Sequence, residues 1–293
     1  MAKSYYSTMP WQKFMEFISL RADRFTLLKS ILEESKLFYD ITEIAGNRHF
    51  IIKANVQSPK TKAPVILTAH YDRAAGSPGA NDNSAAVFIL LEAAIKLTKN
   101  KAANWIIIFT DKEELKTGES IVKQGSYTLA KGIKSIKMDS SKIYCFDALG
   151  TGDSIIISTT LDYLLSKESG GKKIKKSLTE LRNTAYSSAR DLKRLNAYFA
   201  PTPFSEDAGF FRAGLAAQTI TVLPQKEYLA LNAELKKNPD FAEILINSET
   251  RKKNKSKAIP QTWLTINSSK DNHLRLTPEN FHLLTRFAEA LCS

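Results

Sequence analysis

Six apolar runs of strand length punctuate the sequence: Phe50 to Val56, Val65 to Ala69, Trp105 to Thr110, Ile143 to Phe146, Ile155 to Ser158 and Gln218 to Val222. Several are rich in Ile and Val and lack the in–out alternation of a half-exposed strand, so they read as sheet strands buried on both faces. Between the second and third runs lies NDNSAAVFILLEAAIKLTKN, which opens on polar capping residues and continues as a helical pattern. Strand, helix, strand is the pattern of an α/β fold. Upstream, Phe14, Phe17, Ile18, Phe25, Leu28, Ile31 and Leu32 recur at helical spacing and predict one or two amphipathic helices over a face of that sheet. No internal repeat and no Pro- or Ser-rich linker divides the 293 residues, which favours one domain.

The formal charge of +12 would suit nucleic acid, an anionic surface or an acidic substrate. Much of it lies in two basic stretches, near residues 163–200 and 226–262, which read as additions to the α/β core with solvated charges. No zinc-finger spacing, RNA-binding aromatic signature or Gly-rich phosphate loop accompanies them, so nucleic acid is not expected as a partner. Nowhere do about 18 apolar residues run unbroken, and Lys13, Glu16 and Arg21 interrupt any signal-like core, so the expectation is a cytoplasmic protein with no membrane association. Two cysteines, Cys145 and Cys292, give no disulfide framework.

Three apolar runs end in chemistry. The first stops at His70, Tyr71, Asp72; the second at Asp111, Glu113, Glu114; the third at Asp147. In α/β sheets ligands collect beyond the carboxyl ends of strands. Residues two apart in an extended segment face the same way, so Asp72 can orient His70, as the outer partner of a ligating imidazole does. Adjacent carboxylates such as Glu113 and Glu114 repel each other unless a cation relieves them.

Together AHYD, GANDNSA, the Glu113–Glu114 pair followed by GSYTLAK, FDALG, and FSEDAGFFRAGLAAQTI resemble, in order, the zinc metallopeptidases of the bacterial leucyl aminopeptidase and aminopeptidase Y type, peptidase family twenty-eight, which also holds glutaminyl cyclases. The likeness runs from about Val65 to the C-terminus. It implies a single zinc-exopeptidase domain over residues 1–293, with a mixed, mainly parallel central sheet carrying helices on both faces, phosphorylase/hydrolase-like. It further implies two Zn²⁺ ions: His70 and Asp147 on one, Glu114 and a late histidine on the other, Asp82 between them. Glu113 would be the general base and Asp72 the group that orients His70, acting on the N-terminus of a peptide substrate. Asp207 stands where the family often has Tyr or His, and Ala216 where it often has Pro.

Of the late histidines, His282 falls within the helical LTPENFHLLTRFAEALC, whereas His273 falls in SSKDNHLRLTPEN, between a strand-like TWLTI and that helix. That position matches the family's ligand histidine, and His273 is the one expected to bind metal. A di-zinc aminopeptidase is the first reading, a glutaminyl cyclase the second, and a noncatalytic basic binding protein on the same scaffold the third.

Overall fold

The structure, a computed structural model, describes residues 10–55, 63–116, 118–167, 171–192 and 195–293. Eight strands form one sheet: β1 (Tyr39–Ile44), β2 (Asn47–Lys53), β3 (Val65–His70), β4 (Trp105–Thr110), β5 (Lys142–Phe146), β6 (Ser154–Ser158), β7 (Asn196–Ala200) and β8 (Ala217–Leu223). Their order is β1-β2-β4-β3-β5-β8-β6-β7. The centre is parallel, with β4, β3, β5 and β8 running together, while β1, β2 and the β6–β8 pair are antiparallel. The α/β architecture implied above, mixed with a parallel centre, is the one observed.

Alternate residues of the central strands feed two cores, as the two-residue period of a strand requires. Leu67, Ile107 and Tyr144 pack with Phe14, Leu28, Phe88 and Phe287 on one face. Ile66, Ile108 and Cys145 pack with Leu129, Ile133 and Phe210 on the other. Helices therefore cover both faces: Trp11–Phe17, Arg24–Glu34, Ala86–Lys99 and Phe281–Leu291 on the first, Gly125–Ser135 and Glu206–Arg212 on the second. Both cysteines are buried thiols.

Three elements differ from the sequence expectation. TWLTI is the short helix Gln261–Thr265, its Trp263 sunk into a third cluster with Tyr228, Phe241 and Leu245. Pro260 before it caps a helix start rather than a strand, and burial of Trp263 decides the geometry. The edge strands β1 and β7 were not foreseen, because half-polar edge sequences such as YDITEI carry a weak apolar signal. The two basic stretches supply the helix Lys172–Asp191 leading to β7, and the run of short helices Phe241–Ile246, Ser248–Lys253 and Gln261–Thr265.

Candidate metal centre and active-site cavity

Because β4, β3 and β5 are adjacent and parallel, the residues that close each strand emerge side by side. His70 pairs across the ladder with Thr110, and Thr68 with Cys145, so His70, the Asp111–Glu114 turn and Asp147 share one end of the sheet. The fully buried His70 ring has Nδ1 3.3 Å from Asp72 Oδ1 and Nε2 3.1 Å from Asp82 Oδ1, with Asp147 Oδ1 4.0 Å away. Asp72 does more than face His70. Its two oxygens accept the backbone N–H groups of Glu113 (3.1 Å) and Glu114 (3.0 Å), so one carboxylate fixes the imidazole and the turn bearing the proposed base.

The segment Ala80–Ala85 delivers Asp82. Asp82 and Asn83 have non-helical backbone angles, and regular helix begins only at Ala86. The expected capping role of NDN is accordingly replaced by cross-loop ties. Asn83 donates to Phe146 O and accepts from Ala148 N–H, and Asn81 accepts from Gly150 N–H, which locks Asp82 to the loop carrying Asp147. Behind it, Asp271 accepts the N–H groups of Asn81 (2.8 Å) and Asp82 (3.0 Å). Gly79, at φ +60°, turns the chain into this segment; a Cβ there would lie 2.7 Å from Asp82 O.

Arg24, from the N-terminal helical layer, is 6% exposed and donates to five acceptors: the carbonyls of Tyr71, Asp72, Pro78 and Gly79, and Ser84 Oγ. Burial, reinforced by Arg73, lowers its guanidinium to about 9 against the opposing pull of Asp72, Asp82 and Asp271. Sequence reading missed it, since a helix-face arginine carries no local sign of its partners.

The electrostatics are those of an anionic cluster held out of water. Burial first, then the charge of Asp82, pushes Asp147 up to about 7. Burial and the neighbouring Glu114, Asp147 and Asp82 hold Glu113 well above the usual carboxylate range despite His70; burial and Asp82 do the same to Glu114. Burial disfavours the charged His70, but Asp72 and Asp82 override it and raise the imidazole well above its ordinary value. Asp72 moves the other way: burial is outweighed by His70 and the two backbone N–H groups.

His70, Asp82 and Asp147 offer ligand atoms all within 4.8 Å of one another. His70 Nε2, Asp82 Oδ1 and Glu114 Oε1 are buried without a hydrogen-bond partner. Unpartnered buried N and O atoms gathered at one site are what a hard or borderline divalent cation requires, so the His70–Asp82–Asp147 trio, with Glu114 lining the adjoining cavity, fits zinc. No second trio forms among the described residues, and His273 joins none. It is half-buried in the turn His273–Arg275, two residues past Asp271. The route expected to bring it to the site, a loop at a strand's carboxyl end, is replaced by the helix Gln261–Thr265 and the Asp271 anchor. His282 is exposed on the last helix, its Nδ1 3.0 Å from Glu279 O.

A cavity of about 480 Å³ opens beside these groups. Asp82, Glu113, Glu114 and Asp147 form one wall. Glu113 Oε1 accepts from Gln124 Nε2 (3.1 Å). Glu206 and Asp207 lie beneath, both buried; Glu206 accepts from Thr68 Oγ1 (2.8 Å) and from Thr110 Oγ1. Burial raises Asp207 to about 6. The opposite wall comes from the second basic stretch, with Asn247, Ser248 and Arg251, and from the residues just past it, with Trp263 and Asn267. The lysines of that stretch are exposed, as solvated charges are, while Asn247, Ser248 and Arg251 between them line the cavity.

Residues 51–256 match Peptidase family M28, about seven-tenths of the chain. The protein belongs to this family. No curated protein sequence matches the chain. Among solved structures it is similar to the zinc aminopeptidase of Bacillus subtilis (17% identity, TM-score 0.51, 84% of this chain and 48% of that one). It is also similar to the LapA aminopeptidase of Legionella pneumophila (15%, TM-score 0.62, 96% and 68%) and the glutaminyl cyclase of Porphyromonas gingivalis (13%, TM-score 0.62, 99% and 96%). The chain thus spans about half the length of the Bacillus enzyme and nearly all of the cyclase. Among the described residues no helix is long and apolar enough to cross a membrane.

Proposed function

We propose that this M28 member is a zinc-dependent aminopeptidase that removes N-terminal residues from peptides. The observation that carries the reading is the convergence of His70, Asp82 and Asp147 ligand atoms at one end of the parallel strands, beside a cavity that Glu113 and Glu114 also line. His70 and Asp147 would hold one ion, Glu114 and His273 a second, and Asp82 both. Zinc held there supplies Lewis-acid polarisation of the scissile carbonyl and a more acidic water. Glu113, positioned through its backbone by Asp72 and through Oε1 by Gln124, takes the proton of the attacking water and passes it to the leaving amine. Asp72 keeps the His70 ring oriented so that Nε2 faces Asp82 and Asp147.

One observation favours a second reading, glutaminyl cyclase. A single ligand trio is assembled, which suits one ion, and the chain matches the Porphyromonas cyclase over nearly its whole length. In that case Glu113 would shuttle the proton of an N-terminal amine attacking its own Gln side chain. Elemental analysis of the purified protein, coupled to a panel of aminoacyl chromogenic amides and a Gln-initiated peptide, tests both. Release of free amino acid from several amides with two zinc ions per chain supports the first reading. Ammonia release from the Gln peptide alone with one ion supports the second, and absence of bound metal after zinc loading defeats both.

A further inference from the structure

The wall facing the acids carries a buried cation with no carboxylate paired to it among the described residues. Arg251 is 3% exposed and lines the cavity. Its one hydrogen bond runs from Nη1 to Leu245 O, and Nε is buried without a partner. No carboxylate pairs with it among the described residues. Glu249, the nearest acid in sequence, lies 3.5 Å from Lys253 instead. Burial lowers the guanidinium to about 10, and the charge of Asp82, reaching it from the acidic wall, acts in the opposite direction. Arg24 makes the contrast: it too is buried with an unpartnered Nε, but its Nη atoms reach five acceptors.

A guanidinium presents five N–H donors in a planar fork that matches a carboxylate, and burying one without an anion is costly. The cost is met here in a cavity wall and not in the core, so the missing partner is one that enters from solvent. Around it the cavity is shaped for an organic acid. Trp263 and Ile266 supply apolar contact, and Asn267 keeps a buried Oδ1 without a hydrogen-bond partner, an acceptor for an N–H group carried by the same ligand.

We propose that Arg251 binds a carboxylate of the substrate, so that the cavity selects ligands with an anionic group at the end remote from the reacting carbonyl. This rests on the cavity being the substrate site of the exopeptidase or cyclase reading. The carboxylate has two possible sources: the side chain of an acidic N-terminal residue, or the α-carboxylate that ends a short substrate or product. Arg251 acts as a specificity residue, with no part in proton transfer.

Calorimetric titration of the zinc-loaded protein with L-glutamate, L-glutamine and L-glutaminamide separates the sources, because each step exchanges one carboxylate for its amide. At least one exchange is expected to weaken binding by about tenfold or more, the scale of a charge-assisted hydrogen bond to a buried group. Arg251→Met should abolish that difference, and Arg251→Lys, which keeps the charge without the fork, should leave part of it. Loss on glutamate to glutamine assigns the acidic side chain; loss on glutamine to glutaminamide assigns the α-carboxylate. A smaller loss for both exchanges in the wild type, or a loss that survives in Arg251→Met, overturns the proposal. Hydrolysis of glutamyl, glutaminyl and leucyl p-nitroanilides tests the peptidase reading apart from it. No hydrolysis alongside an Arg251-dependent preference removes the peptidase and keeps the carboxylate site; hydrolysis of all three alongside no carboxylate preference does the reverse.

Discussion

The two walls of the cavity are built differently. The strand-end wall is tied at every turn: Asp72 holds two backbone amides, Asp271 two more, Asn81 and Asn83 reach across to the β5 loop, and Arg24 fastens five acceptors behind them. The opposite wall is a relay of helices of five and six residues, packed through Phe241, Leu245 and Trp263, where Arg251 makes one hydrogen bond. Proton transfer and metal ligation tolerate displacements of well under an ångström, whereas reading a substrate's outer end tolerates more. The difference teaches that polar cross-ties mark the part of a cavity where position matters most.

The sharpest way to break this division is Glu113→Gln. It should reduce kcat by at least about 10²-fold while zinc content, measured by elemental analysis, stays at the wild-type value. Turnover near wild type in a fully metallated variant would move the base elsewhere. Next in size is the contrast between the arginines. Arg24→Met removes five hydrogen bonds, three of them buried and two part-buried, and should lower the free energy of unfolding by about 3 kcal/mol or more in urea, with kcat falling alongside. Arg251→Met gives up one such bond and should cost about 1.5 kcal/mol or less. Equal losses would erase the distinction between the walls.

A pH experiment probes the tied wall from a residue in β2. Burial lowers the His49 imidazole to about 4, against an opposing pull from Asp72. The unfolded chain takes up a proton as pH falls through 6.5, and the folded protein does not until about 4. Stability from the neutral ring is therefore complete above 6.5 and is lost as pH falls toward 4, by up to about 3 kcal/mol. Subtracting the pH profile of His49→Gln from that of the wild type should leave this slope; parallel profiles would show the ring to be indifferent. The smallest effect is expected at the outer side of the recognition wall. Lys252, Lys253 and Lys255 are exposed, and replacing all three with Gln should change kcat/KM for a small neutral substrate less than about twofold. A large fall would mean that their charges reach the site.

How legible this was depended on whether a residue's role was local. His70, Asp72, Glu113, Glu114 and Asp147 stand where apolar strands stop, so the ends of the apolar runs marked their position, and the parallel order β4-β3-β5 brings them together. Asp82 was legible through its motif, but the irregular turn that presents it was not, because Asn81 and Asn83 satisfy distant backbone groups and not a helix end. Arg24 and Asp271 lie 47 or more residues from the atoms they serve and left no local trace. Arg251 was hidden in a lysine-rich run whose composition reads as solvated, and only burial separates it from Lys252 and Lys253. His273 was placed by analogy, and its neighbouring segment folded as a helix once Trp263 found the third cluster.

The place of β3 in the sheet has a consequence for how the chain is made. Both of its hydrogen-bonded neighbours, β4 and β5, come later in sequence, the nearer beginning 35 residues after the strand ends. His70 and Asp72 therefore leave the ribosome well before the turn whose amides Asp72 must hold and before Asp147. Non-local strand pairing of this kind is slow because loop closure precedes any reward. Until β4 emerges, the nascent chain holds a mostly apolar strand with two open edges, and one edge stays open until β5 is complete, a state prone to off-pathway association. Pulse-labelled hydrogen exchange should find the β3 amides protected no earlier than those of β4 and β5, so a newborn chain assembles the candidate metal centre only after half its length has been translated.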